Sequence, residues 1–211
     1  MANVLEKECT FECALNETVT HLCVKLGWDP KKQDLKGRIQ GQIETAMMGA
    51  SEKNYDLNLA AILEYSDGTK PELVFHNKTN STGSDEANSI LLSADDRTGF
   101  HKGSDETITI KLDDVPSNVK RIVLFMNIGS ANMLGQTLGD VEGVFVQIEN
   151  ADDCAVLLRE EEAFKNEDAK KYCAYTFAEI CHEEAGWVLR GVARYSDEDR
   201  EQETLKALIE K

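Results

Sequence analysis

The stretch TITIKL, residues 107–112, alternates strictly: Ile108, Ile110 and Leu112 fall on one side, Thr107, Thr109 and Lys111 on the other. A period of two built from β-branched residues is the pattern of a half-buried strand. Downstream, LDDVPSN (112–118) reads as a turn and RIVLFMNI (121–128) as a buried strand. Upstream lies a brief apolar piece, ILLS (90–93), and then the acidic stretch SADDRTGFHKGSDE (93–106). Strand patterns recur in TFECAL, VTHLCVKLGW, DLNLAAILEY, ELVFH, VEGVFVQIEN, CAVLLRE, KKYCAYTFAEICHEE and GWVLRGVARY. CAVLLRE and KKYCAYTFAEICHEE read as two sides of one antiparallel region, with Cys173, Tyr175, Phe177 and Cys181 on one face.

About ten strands with turn signals and no βαβ rhythm predict a mainly β protein, an antiparallel β-sandwich of two sheets. The tail SDEDREQETLKALIEK predicts a short C-terminal helix over about 197–210, capped by Ser196, with acids in its first turn. Residues 30–55 carry Pro30 and weak periodicity and read as an inserted loop with one short helix near Ile43–Met48. No linker divides the chain, so residues 1–211 read as a single domain.

The 211 residues carry a formal net charge of -16. That balance argues against a nucleic-acid surface, since phosphates reward clustered Lys and Arg. No stretch approaches the ~20 apolar residues of a membrane helix, and the N-terminus has no apolar signal core. The expectation is a cytoplasmic protein with no integral membrane segment. The six cysteines then read as buried free thiols, because no second Cys or His pair completes a zinc pattern. Reactive thiols at Cys9, Cys13 or Cys23 are the redox alternative.

Asp95 and Asp96 at one end of SADDRTGFHKGSDE, and Asp105 and Glu106 at the other, frame a loop that is either a cage for a hard cation or a solvated turn. Hard cations take six to eight oxygens from carboxylates, amides and carbonyls. The EF-hand template fails, because Arg97, Gly99 and Phe100 stand where ligands and the turn glycine belong. Other oxygens must then come from elsewhere. Asp56 and Asn58, two apart at the start of a strand, point the same way, and Asn77 ends another strand. The four histidines, His21, His76, His101 and His182, fit no catalytic motif. His101 is the one the acidic loop singles out for a metal or pH role.

Four ordered blocks resemble the TerD family of tellurium-resistance and calcium-binding stress proteins. They are VKLGWDP, YDLNLAAIL, then LVFHNK followed by SADDRTGFHKGSDETITIKLDDVP, and the later strands ending in GWVLRGVARY. Together they cover roughly residues 20–195. The resemblance implies a calcium-binding β-sandwich with no enzymatic reaction, a role in stress responses and protein partners in a stress-response complex. It carries over Asp56, Asp95, Thr98, Gly99, Asp105 and Glu106 as matched positions, with Arg97 and Gly103. Asn58, Lys102 and Ser104 replace family acids, and Asp96 stands where Asn is usual. Fewer carboxylates mean weaker calcium binding, so one Ca2+ site is expected. Asp56, Asn58, Asp95, Asp105 and Glu106 would give side-chain oxygens, and Thr98 and Gly99 carbonyls. The alternative is an interaction module in which the Lys102 ammonium pairs with Asp105 or Asp95 and replaces the ion.

Overall fold

The structure, a computed structural model, describes residues 4–30, 54–76, 83–99 and 103–209. Twelve strands form among them: β1 (Val4–Ala14), β2 (His21–Gly27), β3 (Leu57–Tyr65), β4 (Glu72–Val74), β5 (Gly83–Ser84), β6 (Ile90–Leu92), β7 (Glu106–Lys111), β8 (Val119–Ile128), β9 (Phe145–Asn150), β10 (Val156–Glu160), β11 (Ala174–Glu183) and β12 (Gly186–Ser196). They make two six-stranded sheets, β1-β12-β11-β8-β3-β4 and β10-β9-β2-β7-β6-β5. Each described pairing is antiparallel. The expected sandwich of two antiparallel sheets is thus the observed fold.

TITIKL sits centrally in the second sheet. Glu106, Ile108 and Ile110 of β7 are buried, and Thr107, Thr109 and Lys111 are half-buried. From the facing sheet, Leu57, Leu59, Ala61 and Leu63 of β3 and Ile122, Leu124, Met126 and Ile128 of β8 complete the core. Burying each such side chain contributes roughly 1.5–3 kcal/mol. β3 and β8 are apolar on their outer face too: Ala60, Ile62, Val123 and Phe125 form a second cluster. That cluster needs a cover, and Leu205 of the C-terminal helix packs on it with Leu73 and Phe75.

Three expectations need correction. The C-terminal helix spans Glu201–Ile209 (α2), not 197–210; Ser196 ends β12 instead of capping it. After β8 the chain turns through a four-residue helix, α1 (Ala131–Leu134). β10 and β11 do not flank one region: β10 pairs with β9 in the second sheet, β11 with β8 and β12 in the first. Finally, the odd-numbered face of β11 does not persist. The register shifts between Thr176 and Ala178, and such a bulge flips the faces beyond it. Tyr175 and Phe177 point into the core, then Ala178 and Ile180 do, while Cys181 lies outside that cluster.

The helix expected near Ile43–Met48 lies outside the described residues. Among them, no helix is long and apolar enough to cross a membrane.

Candidate metal centre

Strand polarity places the chemistry. β3 and β7 begin where β4, β6, β8 and β12 end, so six chain segments meet at one rim of the sandwich. There Asp56, Asn58, His76, Asp95, Arg97, Gly129, Ser130, Asp199, Arg200 and Glu201 line a cavity of about 180 Å3. Asp56 and Asn58 share a face, as their spacing predicts. The Asn58 amide donates to the Asp56 carbonyl at 3.2 Å, and the Gly129 N–H donates to the same oxygen at 2.8 Å.

Glu106 enters from the second sheet and is fully buried. Its Oε2 accepts from the Leu59 N–H at 2.7 Å, across to β3. Among the described residues its Oε1 has no hydrogen-bond donor, and neither do Asp56 Oδ1 and Asp95 Oδ1. Three buried carboxylate oxygens without donors are costly, because each has lost its water. The proton affinities register that cost. Burial first, then the Asp95 carboxylate, pushes Asp56 up to about 8, with Arg97 opposing. Burial also holds Glu106 well above the usual carboxylate range, with Asp95 and Asp56 adding to it and the Leu59 N–H opposing. Glu201, at the start of α2, is raised by the same desolvation.

Two groups that sequence reasoning undervalued complete the cavity. The His76 ring is 6 % exposed, with Nδ1 at 3.5 Å from Glu106 Oε1 and 3.8 Å from Asp95 Oδ1. Arg97 Nε donates to Asp95 Oδ2 at 2.6 Å. The signal for His76 was its place at the end of ELVFH beside Asn77. For Arg97 it was the two-residue spacing from Asp95. Asp199 and Glu201 had no local signal, since only the docking of α2 brings them here.

The rest of the acidic loop is organised separately. Asp96 Oδ1 accepts from the Thr98 N–H and hydroxyl, both at 2.7 Å, closing a tight turn. Asp105 is turned to the end of β2, where Oδ2 accepts from the Trp28 N–H at 2.9 Å. Asp96, Thr98, Gly99 and Asp105 do not line the cavity that Asp56 and Asp95 line. Asn77, His101 and Lys102 lie outside the described residues, so the ammonium expected to replace the ion does too. The described cation beside Asp95 is Arg97.

Gly99 shows why the loop needs a glycine. Its φ is +65°, and a Cβ there would stand 2.4 Å from Nε1 of the buried Trp28 ring. Gly99→Ala should cost about 2–3 kcal/mol from overpacking and left-handed strain. Denaturant unfolding, with Trp emission as the probe, checks it; an unchanged midpoint would contradict the packing described.

Among the described residues the cysteines do not form a comparable centre. Cys173 and Cys181 are buried, Cys13 and Cys23 half-buried, and Cys154 is exposed, against the expectation that all are buried. Burial pushes the Cys173 thiol up to about 12 and raises Cys23 and Cys181, which disfavours the thiolate.

Comparison with known proteins agrees with this fold. The TerD domain family matches residues 1–210. A tellurium resistance protein TerD of Serratia marcescens is 31 % identical over 180 residues, covering 84 % of this chain and 81 % of that protein. General stress protein 16U of Bacillus subtilis (strain 168) is 26 % identical over 147 residues, 68 % of this chain and 66 % of that one. A crystal structure of a homologue of telluride resistance protein from Streptomyces coelicolor A3(2) superposes with a TM-score of 0.65. It is 23 % identical, covers 85 % of this chain and 92 % of that one, and speaks to the fold alone. The chain belongs to the TerD domain family.

Proposed function

We propose that the protein is a cytoplasmic calcium-binding stress-response protein whose rim cavity holds one Ca2+. The observation that carries this reading is the set of oxygens without a donor among the described residues: Asp56 Oδ1 and Asp95 Oδ1 on residues that line one small cavity, and Glu106 Oε1 buried 3.5 Å from the His76 ring in its wall. The acids at the rim, Asp56, Asp95, Glu106, Asp199 and Glu201, outnumber the guanidiniums of Arg97 and Arg200 among the described residues, and that surplus of negative charge suits a divalent ion. Asn58 and Glu201 add neutral or acidic oxygens, which brings the set toward the six to eight that calcium takes. The resident ion would neutralise these carboxylates and pin β3, β7 and the β6–β7 loop together. The role is binding, not catalysis, and relatives named for tellurium resistance and general stress support the stress context. A protein partner would then meet a rim whose shape depends on the ion.

Asp95→Ala should lower calcium affinity at least ~10-fold, since ligand charge count tunes such sites. It should also cancel the rise in melting temperature that calcium produces. A melting temperature indifferent to calcium in the unmodified protein would contradict the proposal. The Arg97–Asp95 pair supports a second reading, in which the guanidinium stands in for the ion and the rim is a calcium-independent interaction surface. Arg97→Gln would then create calcium binding that the unmodified protein lacks.

A further inference from the structure

His76 is out of place in a cage of oxygens. Its Nε2 lies 2.7 Å from the Ser93 carbonyl oxygen. A carbonyl can only accept, so Nε2 carries the hydrogen and donates. In the neutral ring the remaining nitrogen, Nδ1, then presents a lone pair. That lone pair faces Glu106 Oε1 and Asp95 Oδ1, and none of the three atoms has a hydrogen-bond partner among the described residues. Glu106 is fully buried and His76 nearly so. Three lone pairs turned on one another, away from water, repel unless a proton or a metal cation sits between them. A histidine that fixes its tautomer by donating to a backbone carbonyl, with the other nitrogen turned to carboxylates, is arranged as metal-ligating histidines are.

We propose that His76 Nδ1 is a metal ligand together with Asp95 and Glu106, so that this rim prefers a nitrogen-accepting divalent ion of the zinc class over calcium. The three donor atoms lie within 4.8 Å of one another. Bonds of about 2.0–2.1 Å place tetrahedral ligand atoms roughly 3.4 Å apart, close to the 3.5 Å and 3.8 Å seen here. Calcium sites draw on oxygen, whereas imidazole suits zinc and its neighbours. Asp56 lines the same cavity outside this trio, which leaves a fourth position open to water. The inference rests on the cation-site reading above and replaces its choice of ion.

The test uses the full chain stripped with chelator, titrated in parallel with Zn2+ and Ca2+. His76→Gln should weaken Zn2+ binding at least ~10-fold while moving Ca2+ affinity less than about threefold, because only zinc draws on the nitrogen. Nitrogen NMR of the imidazole rings in the unmodified protein is a readout that no folding defect can imitate. Zn2+ should shift the His76 Nδ1 resonance, and Ca2+ should not. Zinc binding that leaves His76 unshifted, or that survives His76→Gln, overturns the inference. Calcium binding without zinc binding also overturns it and leaves the calcium reading standing. Zinc binding at His76 without calcium binding supports it and removes calcium. Binding of neither ion sinks both.

Discussion

Asp56→Asn should raise the melting temperature of the calcium-free protein at pH 8.5 while abolishing its response to calcium. The reason is the misplaced charge. The Asp56 carboxyl sits at about 8 in the folded protein against an ordinary 3.8, chiefly because it is buried and beside Asp95. Below 3.8 the group is protonated in both states and stability is unaffected. Between 3.8 and 8 the folded protein keeps a proton that the unfolded chain gives up, so stability falls as pH rises. Above 8 the penalty is complete. The distance between those two values sets a ceiling of about 6 kcal/mol. Water at the cavity mouth relieves part of it, and a gain of about 3 kcal/mol is a fair expectation. For a chain of this size that is a rise of about 6–12 °C. Asn keeps the shape and removes the charge. Calcium reverses the comparison: it stabilises the unmodified protein by about 2.7 kcal/mol at a hundred times its dissociation constant, and the variant by nothing. Thermal melts across pH 6–9, with chelator and with calcium, check both halves. A calcium-free variant no more stable than the original at pH 8.5 would mean that Asp56 carries no unpaired charge.

Glu106 should show the largest difference between two substitutions at one position. Its Oε2 is the acceptor for the Leu59 N–H, and its other oxygen faces His76 and Asp95. Glu106→Ala strands that N–H and opens a cavity between the sheets. The cost should be about 3–4 kcal/mol, from one unsatisfied buried donor plus lost packing. Glu106→Gln keeps an acceptor for Leu59 and sheds a charge that burial disfavours. It should fold at least as stably as the original without metal, and bind divalent ions at least ~10-fold more weakly, since a charged ligand is gone. Urea unfolding and calorimetry separate the two effects. A Gln variant with undiminished ion affinity would take Glu106 out of the ligand set.

The sandwich was legible because its strands announce themselves. TITIKL alternates as a half-buried strand must, and DLNLAAILEY reads as the doubly buried β3. What sequence missed was non-local. The bulge at Thr176–Ala178 has no compositional mark, yet it decides which way Cys181 points. The partners of β10 and β11 depend on which sheet each strand joins, which hydrophobic runs do not encode. At the rim, Asp56, Asn58, Asp95 and Glu106 were expected as ligands and meet in one cavity or across its wall. Asp105 and Asp96 look equivalent to them along the chain. The geometry separates them by direction: Asp105 turns to the Trp28 N–H and Asp96 to the Thr98 N–H, whereas Asp95 and Glu106 face His76. His76 was set aside because a lone histidine beside a strand is ordinarily structural. Only the fold shows its free nitrogen turned on two carboxylates.

The central claim is that this rim binds a divalent cation, and calorimetric titration of the chelator-stripped protein with calcium and with zinc, with magnesium as control, tests it most directly. The account predicts saturable heat at one ion per chain, lost in Asp95→Ala and not reproduced by magnesium. No heat from calcium or from zinc up to millimolar concentration would contradict it.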